Sequence, residues 1–335
     1  MATSKKCSWS LLFITLSAFY IFSSQGPAYG GDVKSYSAGH FMLELDGVAA
    51  GFLPHVEGGN VVAEVVSEKL GPGNLVKKRL GLVKFEDITL QTGANMSKVF
   101  YQWVKDTIEQ RYVRKNGAIV LTDYNQKEMS RVEFFNGLIT EVIFPAADAA
   151  SKIPVFLQVK ITPEMIRSNR FSSGKTYSQP MQKQKNWLAS NYRFNINGLE
   201  AATARTSKIS APTIKIKMGG DVVGEQRVKV AVPAGVEISN LTAWVSAASS
   251  EPLYRWFEDF VLKGNNADNM ERTGILEYLN PSDPSQKEVL FRLTFDHLGI
   301  FKLSRDMSGV PSGGVAHDKA EMYMENMRFD YAATW

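Results

Sequence analysis

The second half of this chain repeats the plan of the first. Near the start of each half a strand-like run closes on a small turn: Phe41-Met42-Leu43-Glu44-Leu45-Asp46-Gly47-Val48, then Tyr192-Arg193-Phe194-Asn195-Ile196-Asn197-Gly198-Leu199. Later in each half comes an amphipathic helical pattern with a common centre, Phe100-Tyr101-Gln102-Trp103-Val104-Lys105-Asp106 and Leu253-Tyr254-Arg255-Trp256-Phe257-Glu258-Asp259. Asp46 and Asn197 stand 151 residues apart, and Tyr101 and Tyr254 stand 153 apart. Two landmarks of different type, kept in order at nearly constant spacing, mark an internal repeat. A repeat restricts the fold to two similar units before any site is considered.

A length of 335 residues suits two domains. The net charge of +4 includes Lys5 and Lys6 of an N-terminal leader. What remains is too small to single out nucleic acid or a membrane surface as partner. Residues 1–30 read as a secretory signal. Lys5 and Lys6 form the basic start, Trp9 to Phe22 the uncharged apolar run, and Ala28-Tyr29-Gly30 the small-residue cleavage region. The apolar run is shorter than the roughly 20 residues that cross a bilayer. The expectation is a cleaved leader, an exported chain (periplasmic or extracellular) and no stable membrane span afterwards. The single cysteine, Cys7, lies in the leader. The mature chain is therefore expected to hold together by sheet pairing and packing, without disulfides.

Residues 31–40 read as a flexible lead, 41–161 as a first domain, 162–190 as a polar linker that need not pack, and 191–335 as a second domain. Strand patterns dominate both. In the first they are Val61–Val66, Ile88–Gln91, Ala118–Leu121, Val132–Phe135 and Val155–Ile161. In the second they are Thr213–Lys217, Val228–Val232, Leu290–Phe295 and one long run from Ala320 to Phe329. Each half carries one helix. Ser97 is placed to cap the first, whose apolar stripe is Val99, Phe100, Trp103, Val104, Thr107 and Ile108. Ser250 is placed to cap the second, with Pro252 in its first turn and a stripe of Leu253, Trp256, Phe257 and Phe260. The fold class is mainly β: two tandem β-sandwich or partly closed barrel domains, each with a helix over one opening or edge.

The segment Arg79-Leu80-Gly81-Leu82-Val83-Lys84-Phe85-Glu86-Asp87-Ile88-Thr89-Leu90 resembles the tail tube family of contractile-tailed phages and related injection particles. The resemblance extends in order through Leu45-Asp46-Gly47, Val61–Val66, Lys77-Lys78-Arg79, Phe100-Tyr101-Gln102-Trp103 and Glu133-Phe134-Phe135-Asn136-Gly137, nearly the whole first domain. The second half follows only through the repeat; Val232-Pro233-Ala234-Gly235-Val236 replaces the Gly81–Phe85 segment. The resemblance implies tail-tube-like domains and a structural, non-enzymatic subunit of an exported ring or tube. Two fused domains per chain imply three chains in a ring of approximate sixfold symmetry, with other tail-like components as further partners. Nucleic acid enters only as something that passes through a lumen. The expected contacts lie in 68–84 and 218–234, on Lys77, Lys78, Arg79, Leu82, Lys84, Phe85, Arg227 and Lys229. Lys77-Lys78-Arg79 is expected as a loop that packs on neighbouring subunits, where its charges set register.

Other chemistry finds little support in the sequence. His40, His55, His297 and His317 form no metal-like spacing, and no glycine-rich phosphate loop occurs. No catalytic residue, cofactor or metal is expected. Asn95-Met96-Ser97 and Asn240-Leu241-Thr242 fit the glycosylation pattern, but Ser97 is accounted for as a cap. Asp46-Gly47 and Asn197-Gly198 read as hairpin turns. Tyr101, Trp103, Tyr254 and Trp256 read as core or interface residues rather than a sugar platform. The competing reading is a secreted monomeric binding module for a glycan or envelope component, which predicts a discrete aromatic cleft.

Overall fold

The computed structural model describes residues 40–70, 75–169, 174–177, 187–219, 232–306 and 316–332. The expected leader and nearly all of the lead lie outside them. The first half runs β1 (His40–Leu45), β2 (Val48–Leu53), β3 (His55–Gly58), β4 (Val61–Leu70), β5 (Leu75–Phe85) and β6 (Ile88–Thr92), then α1 (Lys98–Ile108). It continues through β7 (Lys115–Thr122), β8 (Glu128–Ile143), β9 (Ala147–Asp148), β10 (Leu157–Thr162) and β11 (Met165–Asn169). The second half runs β12 (Tyr192–Ile196), α2 (Glu200–Thr203), β13 (Thr206–Ile209), β14 (Thr213–Gly219), β15 (Val232–Ile238) and β16 (Leu241–Ser246). After α3 (Glu251–Phe257) come β17 (Arg272–Leu279), β18 (Val289–Asp306), β19 (His317–Tyr323) and β20 (Asn326–Tyr331). The protein is mainly β, as its alternating patterns dictate.

Strand pairing follows one order in both halves. In the first, β1 pairs β7, β7 pairs β8, β8 pairs β10 and β11, β10 pairs β6, and β6 pairs β3. In the second, β12 pairs β17, β17 pairs β18, β18 pairs β19 and β20, β19 pairs β16, and β16 pairs β13. The hairpin β4–β5 has its counterpart in β14–β15. A glycine recurs at matching places. Gly117 lies opposite Phe134 and Gly274 opposite Phe295, both rings fully buried. A Cβ at Gly117 would stand 2.4 Å from the Phe134 ring and 2.5 Å from the Glu44 carbonyl oxygen; at Gly274 it would meet Leu298 at 2.6 Å. Only a missing side chain lets ring and neighbouring strand approach so closely.

The two halves share one core. Phe144 meets Phe329 at 5.2 Å between ring centroids, Tyr101 packs against Phe291 and Tyr331, and Trp187 against Tyr278 and Phe291. The fully buried Tyr278 donates its hydroxyl to the Pro145 carbonyl at 2.6 Å. The sheets also touch: β14 pairs the end of β8, and β9 pairs β13.

Several local expectations change. The 162–190 segment packs despite its polarity: β11 pairs β8, and Tyr177 and Trp187 are buried, so a few apolar residues suffice to tie it down. Asp46-Gly47 is a hairpin turn, both residues at positive φ. Asn197-Gly198 instead leads into α2, where Glu200 accepts from the Gly198 N–H. The run Ala320–Phe329 is two strands broken at Met324-Glu325. Ser97 caps α1 by accepting from the Phe100 N–H; Val99 is exposed and Tyr101 takes the buried place. Ser250 makes no cap bond, because its hydroxyl is drawn to Asp318 at 2.5 Å. Of the expected strand Val228–Val232, only Val232 lies within the described residues, at the start of β15.

Candidate assembly surface

Among the described residues the hairpin β4–β5 pairs only with itself, as a two-stranded sheet apart from the larger ones. It is rich in valine and leucine, yet Val61, Val62, Val65, Val66, Val76, Leu80, Leu82 and Val83 are all exposed. Because Val61 and Val62 are adjacent, as are Val65 and Val66, apolar side chains stand on both faces of the ribbon. A two-stranded ribbon is marginal alone in water, and an apolar run on both faces is the pattern of a strand covered on both sides. Glu64 pairs with Lys84 at 3.2 Å and Glu68 with Arg79 at 3.4 Å, surface ion pairs that fix the register of the two strands but add little stability.

The expected contact residues fall on this ribbon. Lys77, Lys78 and Arg79 lie within strand β5, opposite Glu68, Ser67 and Val66, and not in a loop. A β-branched partner strand extends the pairing past the basic run. Leu82 and Lys84 are exposed, and Phe85 is half-buried opposite Val61. Arg227 and Lys229 lie outside the described residues. The second-half hairpin differs in its surroundings. Ile214 and Ile216 of β14 are buried, because Thr213–Lys215 pairs with Glu141–Ile143 of β8.

Three polar clusters formed by residues distant in sequence were not legible in spacing. In the first, Glu44 is bound by Arg131 at 2.8 Å, Lys175 at 3.2 Å and the Tyr177 hydroxyl at 3.1 Å. Burial alone would raise the Glu44 carboxyl, but the charge of Arg131 and the bonds from Lys175 and Tyr177 outweigh it and lower it. In the second, the fully buried Asp318 accepts from Ser250, Tyr254 and Arg305. In the third, Glu271, His297 and Glu325 bring their ligand atoms within 4.8 Å of one another. Glu271 accepts from the Tyr323 hydroxyl at 2.5 Å and contacts His297 Nδ1 at 2.8 Å, which raises the imidazole above its ordinary value. The first two clusters are hydrogen-bonded networks that tie strands together, with the buried Arg131 Nε of the first left without a hydrogen-bond partner among the described residues. The third has the donor types of a cation site but reads here as an ion pair between strand ends. An open depression is lined by Arg193, Glu277, Ser285, Gln286, Lys287, Val289 and Arg292 and holds no aromatic side chain.

Residues 37–164 match the family model of the T4-like virus tail tube protein gp19. A comparison with curated proteins gives no match. Among solved structures the chain is similar to one from the sheath–tube complex of an extracellular contractile injection system, PVC, in the extended state. That likeness has 17% identity over 42% of this chain and 94% of the other, with a TM-score of 0.37. A likeness to the anti-feeding prophage tube-terminating cap has 19% identity over 40% of this chain and 91% of the other, with a TM-score of 0.34. The ribbon β4–β5 lies inside the segment that matches the tail tube model.

Proposed function

We propose that this chain is a structural subunit of a tail-tube-like assembly. In this reading it is an exported tandem duplicate whose halves take neighbouring, non-equivalent places in a ring of three chains, and rings stack into a tube. The observation that carries it is the ribbon β4–β5, apolar on both faces and covered on neither by the described residues, inside the segment that matches the tail tube model. Recurrent strand pairing supports the duplication. Closing a ring pairs exposed strand edges with backbone hydrogen bonds and removes the hazard of open edges. Head-to-tail contacts between unlike surfaces close into rings when the rotation allows. The contacts fall in 68–84 and 218–234, and its role is scaffolding rather than catalysis, with other tail-like components as partners.

Electron microscopy and native mass spectrometry of the purified chain test this reading. Rings of regular diameter and a mass of three chains are expected; monomers alone at high concentration overturn it. Deleting residues 70–80 leaves a folded chain that no longer assembles, whereas loss of folding refutes an interface role for the ribbon. N-terminal sequencing of exported protein tests the leader, with a start near residue 31 expected.

A further inference from the structure

Strand β18 ends in the same local geometry as β8 but, among the described residues, lacks one neighbour that β8 has. In β8 the pairing to β10 skips one residue, Thr140, between Ile139 opposite Ile161 and Glu141 opposite Lys160. In β18 the pairing to β19 skips Phe301, between Ile300 opposite Met322 and Lys302 opposite Glu321. The bulges correspond, so Glu141, Val142 and Ile143 match Lys302, Leu303 and Ser304. On one side Glu141–Ile143 has β10; on the other it has β14, with Thr213 opposite Ile143, Ile214 opposite Val142 and Lys215 opposite Glu141. Lys302–Ser304 has β19 on one side. On the other side no strand pairs with it among the described residues.

The missing neighbour has a counterpart in the chain. Ile214 lies opposite Ile238, three residues before Leu241 begins β16; Val61 lies opposite Phe85, three residues before Ile88 begins β6. Asn60, Val61 and Val62 therefore match Thr213, Ile214 and Lys215. Docking makes a large difference to this position: Ile214 is 1% exposed and Val61 is 50% exposed. In the single chain Val61 and Leu303 are not paired with each other. Two edges of matching geometry are thus each unpaired on one side among the described residues.

We infer, on the ring reading above, that Asn60–Val62 of one copy adds antiparallel to Lys302–Ser304 of a second copy. The register is Asn60 opposite Ser304, Val61 opposite Leu303 and Val62 opposite Lys302. Backbone hydrogen bonds supply the join, and Val61 against Leu303 replaces the apolar pair Ile214 against Val142. Lys302, held by Glu321 at 2.9 Å, sits beside Val62 and packs its methylene stem there while its head stays in water.

The test mixes two full-length single-cysteine variants, Val61→Cys and Leu303→Cys, each with Cys7→Ser. Directly opposed residues of antiparallel strands lie about 4.5–5.5 Å apart at Cα, within disulfide reach. Mild oxidation is expected to give a two-chain band on a non-reducing gel from the mixture and from neither variant alone. The pair Asn60→Cys with Ser304→Cys, in the same background, is expected to link as well and guards against one site that fails to fold or react. Rings seen by electron microscopy with neither link overturn this joint and leave the ring reading standing. Links formed only out of register overturn the register, and a chain that stays monomeric overturns both.

Discussion

Replacing Leu80 by Asp separates the cost of folding from the cost of assembly. Leu80 is 77% exposed, and its cross-strand neighbour Val65 is itself exposed, so the single chain removes little of either from water. Losing the leucine therefore costs the fold no more than about 0.5 kcal/mol, the usual range for a surface substitution. In an assembly that covers this face, a fully buried leucine contributes about 1.5–3 kcal/mol, and most of that is still to be gained, roughly 1–2 kcal/mol at each joint. A carboxylate carried into the same place adds a desolvation cost of several kcal/mol unless a cation meets it. Each joint then weakens by about tenfold or more, since 1.4 kcal/mol is a factor of ten, and a closed ring multiplies that loss. Thermal unfolding of the dilute chain reads the first quantity; sedimentation velocity over a concentration series, with negative-stain images, reads the second. The expected outcome is a melting curve displaced by a few degrees at most and an assembly threshold raised by an order of magnitude or more. Unchanged assembly refutes the ribbon as an interface. A melting loss as large as that of a core truncation refutes the claim that it is uncovered in the single chain.

Three further outcomes follow from the core and the charge clusters. Tyr278→Phe leaves the Pro145 carbonyl without its partner between the halves and costs about 1–3 kcal/mol; chemical denaturation checks it, and a loss near zero means the bond is replaceable. Gly117→Ala forces a methyl group against the Phe134 ring and the Glu44 carbonyl. Overpacking of this kind costs about 1–3 kcal/mol, and a variant as stable as the parent shows that strands β1 and β8 yield easily. His297 is raised above its ordinary value of 6.5, chiefly by the bond to Glu271. A raised folded-state value means its stabilisation is complete below the ordinary value and disappears as pH rises through the raised one. The melting gap between parent and His297→Gln should therefore be wide at about pH 5.5 and close by about pH 9; a gap independent of pH removes the charged pair from the account.

The parts legible in sequence are those where local chemistry decides. Alternating apolar residues made strands, Ser97 made a cap, and Asp46-Gly47 made a hairpin because both residues tolerate positive φ. The parts not legible depend on partners far away in the chain. Ser250 has the composition of a cap, but Asp318 from β19 takes its hydroxyl. The 162–190 segment looks like a solvated linker, yet Tyr177 reaches Glu44 and Glu128 and Trp187 reaches Phe291. Lys77-Lys78-Arg79 reads as a loop tip because three adjacent cations are uncommon in a strand, and here they lie in β5, where Glu68 of the opposing strand pairs with Arg79. The fused core was invisible for the same reason: nothing local ties Phe144 to Phe329.

The most informative comparison within the molecule is between its two hairpins. They occupy equivalent places, but β14–β15 is docked on β8 and β4–β5 on nothing described. Composition follows surroundings: Thr213–Lys217 alternates, with Ile214 and Ile216 buried and Lys215 and Lys217 exposed, as suits a strand covered on one face. Val61–Val66 does not alternate. A strand with apolar residues on both faces gains nothing in water and invites uncontrolled edge pairing, so its sequence makes physical sense only if both faces and one edge are covered. The docked copy supplies the geometry of that cover, since β8 holds β14 by three residue pairs and buries Ile214 almost completely. If the exposed hairpin meets the matching edge at Lys302–Ser304, the molecule contains one completed joint and the two halves of another, and the second can close only between copies.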